Sequence, residues 1–327
     1  MPKVSIIIPT HNRPRLLRRA INSARASGSE VEIVVVDDAS SDETAETCRS
    51  ISDITYVRVD RNQGVAGARN IGLVASRGEY VSFLDDDDQR LPGSVNKQIE
   101  ALEKNPDAVM IYGQAIPEDP SGTRHQPYPA ECPQGDIFWE LLTRNFVPCG
   151  SAVFRRECLS RVGLLDEGIS GIDDWDLWVR IAEIFSIAAF ETPVMIWRQP
   201  TRTSAQGSSC TVELIEQGRR RFRQRWLKLP RLTSATQDRQ REAWRSFSNN
   251  VSEHLVWEAF SALGKFELRY AGKSALTALR LHPTALIDLL RRWTSASTLD
   301  ILLTSTRTRG ELANAKAHFK RIRSSRT

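Results

Sequence analysis

Three groups of carboxylates in this chain sit where carboxylates could do chemistry. The longest is Asp85, Asp86, Asp87 and Asp88, four in a row after the apolar run "YVSFL". Adjacent carboxylates repel one another, so such a run is costly unless solvent or a cation compensates. Carboxylate oxygens suit a hard divalent cation, Mg2+ or Mn2+, which keeps positions open for substrate phosphates. A solvated acidic turn is the competing reading. Asp37 and Asp38 follow "IVVV" in the same way. Ionised, they can accept hydrogen bonds from ribose hydroxyls or a base N–H, or the loop "DDASSD" can cap a helix. The third group is Asp173, Asp174 and Asp176 in "GIDDWDLWVRIA", at a helix start whose dipole favours anions. A carboxylate there that faces a crevice could act as general base toward an acceptor hydroxyl. Trp175 and Trp178 share a helix face, which suits core packing or a sugar platform. Arg69, in "GVAGARNIG", could face an anion in the crevice or lie on the surface. The glycines around it, Gly64, Gly67 and Gly72, match neither GxGxxG nor GxxxxGK[ST] and read as helix packing.

The elements that must position these residues alternate. Residues 4–8, 31–38, 54–59 and 80–84 are short apolar runs that read as strands. Between them lie helical stretches, one opened by Pro14 with Leu16, Leu17, Ala20, Ile21 and Ala24 at helical spacing. Ser40 or Ser41 is the expected cap of the next. This order predicts an α/β fold with a parallel sheet covered on both faces. Ligands in such sheets bind outside the carboxyl ends of the strands. Asp37, Asp38 and the four-aspartate run all fall at such ends, so they are expected in one crevice. Residues 108–113 continue the sheet, and residues 116–135, with five prolines, read as loop. Residues 186–197 read as returning strands, and from about residue 212 the pattern is mostly helical.

The 327 residues are 40% apolar and 26% charged, an ordinary globular composition. The opening segment reads as a strand and not a signal peptide, and no apolar run approaches the roughly 18 residues of a membrane span. Five cysteines without paired spacing predict reduced thiols and a cytoplasmic location. The net charge of +5 hides an asymmetry: residues 1–200 carry 21 Lys and Arg against 30 Asp and Glu, and residues 201–327 carry 24 against 10.

Taken in order, the motifs resemble the family-2 glycosyltransferases, inverting enzymes with the GT-A fold. "VSIIIPTHNRPRLLRRAINS" looks like that family's first strand and helix, and "IVVVDDASSDET" is similar to its nucleotide-binding VVDDGSTD element. "NQGVAGARNIGLVASRGEYVSFLDDDD" resembles its NxGxxxARNxGxxxAxGxYxxFLDxDD block, and residues 146–182 are similar to the acceptor half. The resemblance covers residues 3–205. It implies a GT-A sheet, mostly parallel and twisted with helices on both faces, in a catalytic domain at 1–205. A basic, mainly helical extension follows at 206–327. It implies nucleotide contacts from Asp37, Asp38, Asp86, Arg69 and the loop holding Pro9, Thr10 and Asn12. Asp85 and Asp87 take the DxD positions for a divalent cation, Mn2+ or Mg2+, and Asp174 is the catalytic base. Asp173, Trp175, Trp178 and Arg198 are implied as donor-sugar or acceptor contacts. The donor is expected to be a nucleotide-diphosphate sugar, UDP-linked by family habit. The acceptor is expected to be a saccharide or lipid-linked glycan in surface polysaccharide or glycolipid synthesis. Two positions depart from the family pattern: Asp173 replaces the usual Glu before Asp174, and Pro200 stands where a histidine is common. Arg198 or Arg202 would then supply the missing charge.

The extension contains "QGRRRFRQRW" and "KAHFKRIRSSRT", basic with interleaved aromatics. No nucleic-acid-binding module accompanies them, so nucleic acid is not an expected partner. Peripheral contact with an anionic membrane, on the inner face of the plasma membrane, is the favoured reading, with residues 286–303 as a candidate interfacial stretch. Two other functions compete. A sugar-nucleotide nucleotidyltransferase lacks its Gly-rich N-terminal signature here, and a catalytically silent assembly subunit would not require Asp38, Asp87 and Asp174.

Overall fold

The computed structural model describes residues 2–169, 171–199, 211–264, 266–284 and 287. The chain separates into two compact units. The first comprises Met1–Leu141 and Asn145–Arg198, and the second Leu142–Arg144 and Gln199–Thr327.

In the first unit β1 (Val4–Thr10), α1 (Pro14–Ala26), β2 (Val31–Asp38), α2 (Thr44–Arg49), β3 (Thr55–Val59), α3 (Gly64–Ala75) and β4 (Tyr80–Phe83) alternate as the pattern requires. Then come β5 (Gln89–Arg90), α4 (Ser94–Lys104), β6 (Ala108–Glu118), α5 (Phe138–Leu141), β7 (Val153–Arg155), α6 (Leu159–Val162), α7 (Asp173–Ile184) and β8 (Ser186–Arg198). The strands form one sheet in the order β3-β2-β1-β4-β7-β6-β8-β5. Four pairs are parallel: β1–β2, β1–β4, β2–β3 and β6–β8. The sheet is not purely parallel, because the short β7 runs antiparallel between β4 and β6, and β5 runs antiparallel to β8.

Every residue of β1 is buried, because it lies between two parallel neighbours with packing on both faces. Ile6 and Ile8 share a core with Leu17, Ala20, Ile21 and Ala24 of α1 and with Val95, Ile99 and Leu102 of α4. Ile7 points the other way, toward α3. A Cβ on Gly72 of α3 would lie 2.3 Å from Ile7 Cγ2 and 3.3 Å from Val36 Cγ2. The glycine therefore lets α3 approach the β1–β2 pair, as expected for helix packing. Gly64 does something else. Its φ is +75°, a conformation that costs glycine little, and it opens α3 with its N–H aimed at Asp38.

Three local expectations need correction. The first turn of α2 is capped by Asp42, whose Oδ1 accepts the Thr44 N–H at 2.9 Å, whereas Ser40 serves the Asp37 loop. β6 runs on to Glu118, and the proline-rich segment folds back on it through Ala115 N–H to Tyr128 O at 2.7 Å. Residues 186–198 form one long strand, because β8 pairs with β6 along its whole length through register shifts.

The second unit contains α8 (Thr211–Gln224), α9 (Pro230–Thr233), α10 (Gln237–Gly264) and α11 (Leu268–Leu281). Val212, Leu255, Val256, Trp257 and Ala278 form one of its buried clusters, and Phe222 packs on Trp226, Trp244 and Phe247 in another. Among the described residues no helix is long and apolar enough to cross a membrane. Pro200, Arg202, Cys210 and the stretch 288–327 lie outside the described residues.

Gly72→Ala should destabilise the first unit by about 1–3 kcal/mol, the usual cost of forcing a methyl into a packed core. Chemical denaturation compares it with Gly64→Ala, which meets no neighbour within 4 Å and acts only through its backbone conformation.

Candidate active site

The carboxyl ends of β1, β2 and β4 meet because β1 lies between the other two, with Thr10 opposite Asp37 and Ile7 opposite Phe83. The four-aspartate run leaves β4 as a turn closed by Asp88 N–H to Asp85 O at 3.0 Å. Thr10 donates its hydroxyl to Asp86 Oδ2 at 2.7 Å. Arg13 Nη1 reaches both Asp86 Oδ1 at 3.0 Å and Asp87 Oδ2 at 3.1 Å. Burial pushes the Asp86 carboxyl up to about 6, with Asp87 adding to the effect and Arg13 and Thr10 opposing it. Asp87 is also raised, by burial and then by Asp85, with Arg13 and Arg198 pulling the other way. Asp88 is buried and held well above the usual carboxylate range by burial and its aspartate neighbours, while its Oδ1 accepts the Arg198 N–H at 2.8 Å.

Arg69 connects this run to the third acidic group. Its Nη2 lies 2.6 Å from Asp85 Oδ1 and its Nη1 2.6 Å from Asp173 Oδ2. The residue is 3% exposed, and its Cζ lies 5.4 Å from the Phe83 ring centroid. Burial works against its charge, but Cys149, Asp173, Asp85 and Asp174 together keep it ionised more firmly than an ordinary arginine. The fork therefore holds two carboxylates of the crevice; it is neither an exposed arginine nor one left open to a nucleotide.

Asp173 and Asp174 begin α7 and differ in use. Asp173 is buried in the Arg69 pair. Asp174 is partly exposed, and its Oδ1 accepts the Trp175 N–H at 2.6 Å. Its carboxyl is pushed up to about 7, by burial first and the Asp173 charge second, with Arg69 opposing. Asp176 is fully buried and pairs with Arg180 at 2.9 Å, a structural contact within the helix.

Other expected contacts are placed differently. Both oxygens of Asp38 accept backbone N–H groups at the start of α3, from Gln63 at 2.6 Å and Gly64 at 2.9 Å. Asp37 is buried, accepts the Ser40 N–H and the Tyr56 hydroxyl, and lies 3.6 Å from Arg58. The strand ends do converge, but these two side chains order the loops around the crevice. Asn12, at φ +55°, bonds Ser40 and Ser41, and Pro9 lies inside β1. The sugar-platform reading of the tryptophans is corrected. Trp178 is fully buried against Phe154, and Trp175 is buried with its indole N–H on Leu141 O at 2.6 Å. α7 turns both rings into the core because that is the face that meets the sheet and α5.

Four residues of this site escaped sequence reasoning. Arg13 follows the expected loop directly, and its place before Pro14 at the crevice lip was the available signal. Cys149 starts a 3-10 turn, Cys149–Ser151, and its thiol, raised by burial, is electrostatically coupled to Arg69, Asp174 and Asp85. Gly150 lets that turn in, since a Cβ there would lie 2.9 Å from Met195 Cε. Arg90 anchors the turn from below, bonding Gln98 Oε1 at 2.8 Å, Ala152 O at 3.1 Å and the Ser82 hydroxyl, while Gln98 holds Ser151 O. Burial among these neutral partners lowers the Arg90 pKa to about 9.

Residues 5–163 match the family model described as glycosyl transferase family 2. The chain carries a family-2 glycosyltransferase domain. Over 203 residues it is 32% identical to an uncharacterized glycosyltransferase of Rickettsia prowazekii, covering 60% of this chain and 63% of that protein. Over 124 residues it is 36% identical to the GalNAc(5)-diNAcBac-PP-undecaprenol beta-1,3-glucosyltransferase of Campylobacter jejuni, covering 36% and 40%. The chain thus spans less than two thirds of these relatives. The family-2 domain also has the GT-A-type fold of solved structures. The mannosyltransferase PcManGT of Pyrobaculum calidifontis, in complex with GDP-Man and Mn2+, aligns with TM-score 0.58 and 18% identity over 93% of this chain and 83% of its own. Residues 1–349 of S. aureus TarS align with TM-score 0.50 and 19% identity, over 86% and 90%.

Among the described residues no three His, Cys, Asp or Glu side chains are grouped to enclose a metal ion. Mg2+ and Mn2+ need no such cage, since one or two carboxylates and substrate phosphates suffice. Asp85 and Asp87 of the family-2 domain fit that requirement. Each gives one oxygen to an arginine, each is partly exposed at 33% and 19%, and repulsion from Asp85 contributes to the raised Asp87 pKa.

Arg69→Met should cost about 3–5 kcal/mol, because it leaves Asp173 buried without its cation. Asp173→Asn in the same background should recover part of that loss, and urea unfolding of the two variants reads both effects.

Proposed function

We propose that the first unit transfers a sugar, with inversion, from a nucleoside-diphosphate sugar to a hydroxyl of a saccharide or lipid-linked acceptor. The observation that carries the reading is the double ion pair of Arg69, which sets the acidic end of β4 beside the start of α7. One guanidinium spans the distance between the carboxylates suited to a leaving diphosphate and the carboxylate suited to an attacking hydroxyl.

Asp174 is the base. With Oδ1 held by the Trp175 N–H, Oδ2 takes the acceptor proton as the acceptor oxygen attacks the anomeric carbon. Its carboxyl, near 7, is basic enough to accept that proton and still ionised in part at neutral pH. Asp85 and Asp87 would hold a divalent cation, Mn2+ or Mg2+, which when bound neutralises charge on the departing diphosphate. Arg13 holds Asp86 and Asp87 through its ion pairs, and Thr10 and Asn12 at the carboxyl end of β1, with Asp86, form the nucleotide side. Arg198, whose charge acts on Asp87, takes the place of the family histidine.

The Mn2+ and GDP-Man bound to PcManGT, and the UDP-GlcNAc named in a TarS complex, support a metal and a nucleotide-sugar donor. UDP is the preferred nucleotide. The undecaprenol-linked substrate named for the Campylobacter relative supports a lipid-linked acceptor. Succinoglycan biosynthesis, named for a Rhizobium meliloti relative 35% identical over 127 residues, supports a role in surface polysaccharide.

A thermal-shift panel of UDP, GDP, dTDP and CMP, with and without Mn2+, tests the donor side. One diphosphate should stabilise the protein only with metal, and Asp87→Asn should abolish that shift. If no nucleotide shifts the protein in either condition, a catalytically silent subunit becomes the better description.

Asp174→Asn should lower transfer by about 10²–10⁴-fold while leaving the nucleotide shift intact. Because the base must be ionised, kcat/KM should fall as pH drops through about 7. A pH profile whose acid limb lies near 4 would remove Asp174 from the role.

A further inference from the structure

α11 presents an apolar face that the described residues of the second unit leave exposed. Its buried strip is small and polar-tolerant, with Ala271, Ser274, Thr277 and Ala278 turned inward. On the opposite side Leu268, Leu276 and Leu279 follow one another at helical spacing, with Gly272 between the first two, and all are exposed. Arg269, Lys273 and Arg280 form the next strip around the helix, also exposed. The helix thus shows solvent a leucine strip running beside a basic strip. The turn before it adds Phe266, 88% exposed and at φ +60°, a conformation rare for an aromatic residue. Leu263, at the end of α10, is exposed beside it in sequence.

We propose that this face of α11, with Phe266, docks on the surface of an anionic lipid bilayer. Leucines and a phenylalanine suit the acyl boundary, and basic side chains one strip away suit phosphate headgroups at the level above it. Charge complementarity favours lipid over a second copy of the chain. Residues 201–327 carry 24 Lys and Arg against 10 Asp and Glu, so self-association through this unit would bring like charges together. Lys273 is partly spent on Glu213 of α8, and Glu267 stands at the helix start, which leaves Arg269 and Arg280 as the main headgroup contacts. Neither has an ion-pair partner among the described residues. The proposal goes beyond sugar transfer and does not depend on it, although a lipid-linked acceptor would give such a face its use.

The test is co-sedimentation of the full chain with vesicles of phosphatidylglycerol and phosphatidylcholine, against phosphatidylcholine alone, at low salt. Binding should need the anionic lipid and weaken with added salt. Replacing Phe266, Leu268, Leu276 and Leu279 by Ser should lower binding at least tenfold, and so should Arg269→Glu with Arg280→Glu. These side chains are exposed, so circular dichroism should match the wild type. The proposal is overturned if the wild-type chain stays in solution, or if the four-Ser variant binds as well as wild type. It is also overturned if the four-Ser variant turns an oligomer into a monomer by light scattering without losing vesicle binding, since a second copy then covers the face. The nucleotide shift is measured on the same samples. Vesicle binding without a shift would sink only the transfer reading, and a shift without vesicle binding would sink only this one.

Discussion

The position of Arg69 between Asp85 and Asp173 is the constraint on which the site depends. A guanidinium with its two Nη atoms each 2.6 Å from a different carboxylate, inside the protein, fixes the separation of the elements that carry them. One carboxylate leaves β4 and the other begins α7, so the end of the sheet and the start of the helix cannot drift apart without stranding a buried charge. The close seat of α3 on β1 and β2, allowed by Gly72, carries the arginine to that point. A packing detail of one glycine thereby sets the geometry of an electrostatic cluster.

That cluster tolerates its acidity by dividing labour among its carboxylates. Asp173 neutralises Arg69, Asp38 accepts the first N–H groups of α3, and Asp88 ties the turn to β8. Their oxygens are committed to holding the site together. What remains toward the crevice is Asp85 and Asp87, partly exposed, and Asp174 at the lip of α7. Adjacent residues of the same type, Asp173 and Asp174, are separated in role because only one of them reaches the arginine. The other gains basicity from burial first and its neighbour's charge second.

The strand and helix order of the first unit was legible because apolar period and length leave few alternatives for buried parallel strands. The placement of the acidic groups at strand ends and at a helix start was legible too, because the apolar runs and the helical period stop or begin at them. What the sequence concealed were partners. Nothing in "NQGVAGARNIG" says that Arg69 turns inward between two aspartates and not outward to a phosphate. Likewise Asp38 reads as a ligand because its role as the cap of α3 depends on a loop 25 residues away. Arg13 and Cys149 were missed for the same reason: their meaning comes from tertiary neighbours, and no local pattern carries it. Trp175 and Trp178 misled because helical spacing identifies a shared face without saying whether that face meets solvent or the sheet.

The charge asymmetry along the chain resolves into two different physical situations. In the first unit part of the acid is folded inward, where burial raises several carboxyl pKa values and arginines absorb part of the repulsion. Inward charge of this kind acts on its immediate neighbours and on whatever enters the crevice. In the second unit the basic residues of α11 stand outside, next to leucines that the helix does not bury. Outward charge with adjacent apolar surface acts on what the protein approaches, so it bears on location. A single number for net charge averages the two and describes neither. Separating them shows acid gathered around the ends of β1, β2 and β4 in the first unit and base displayed on the outside of α11 in the second.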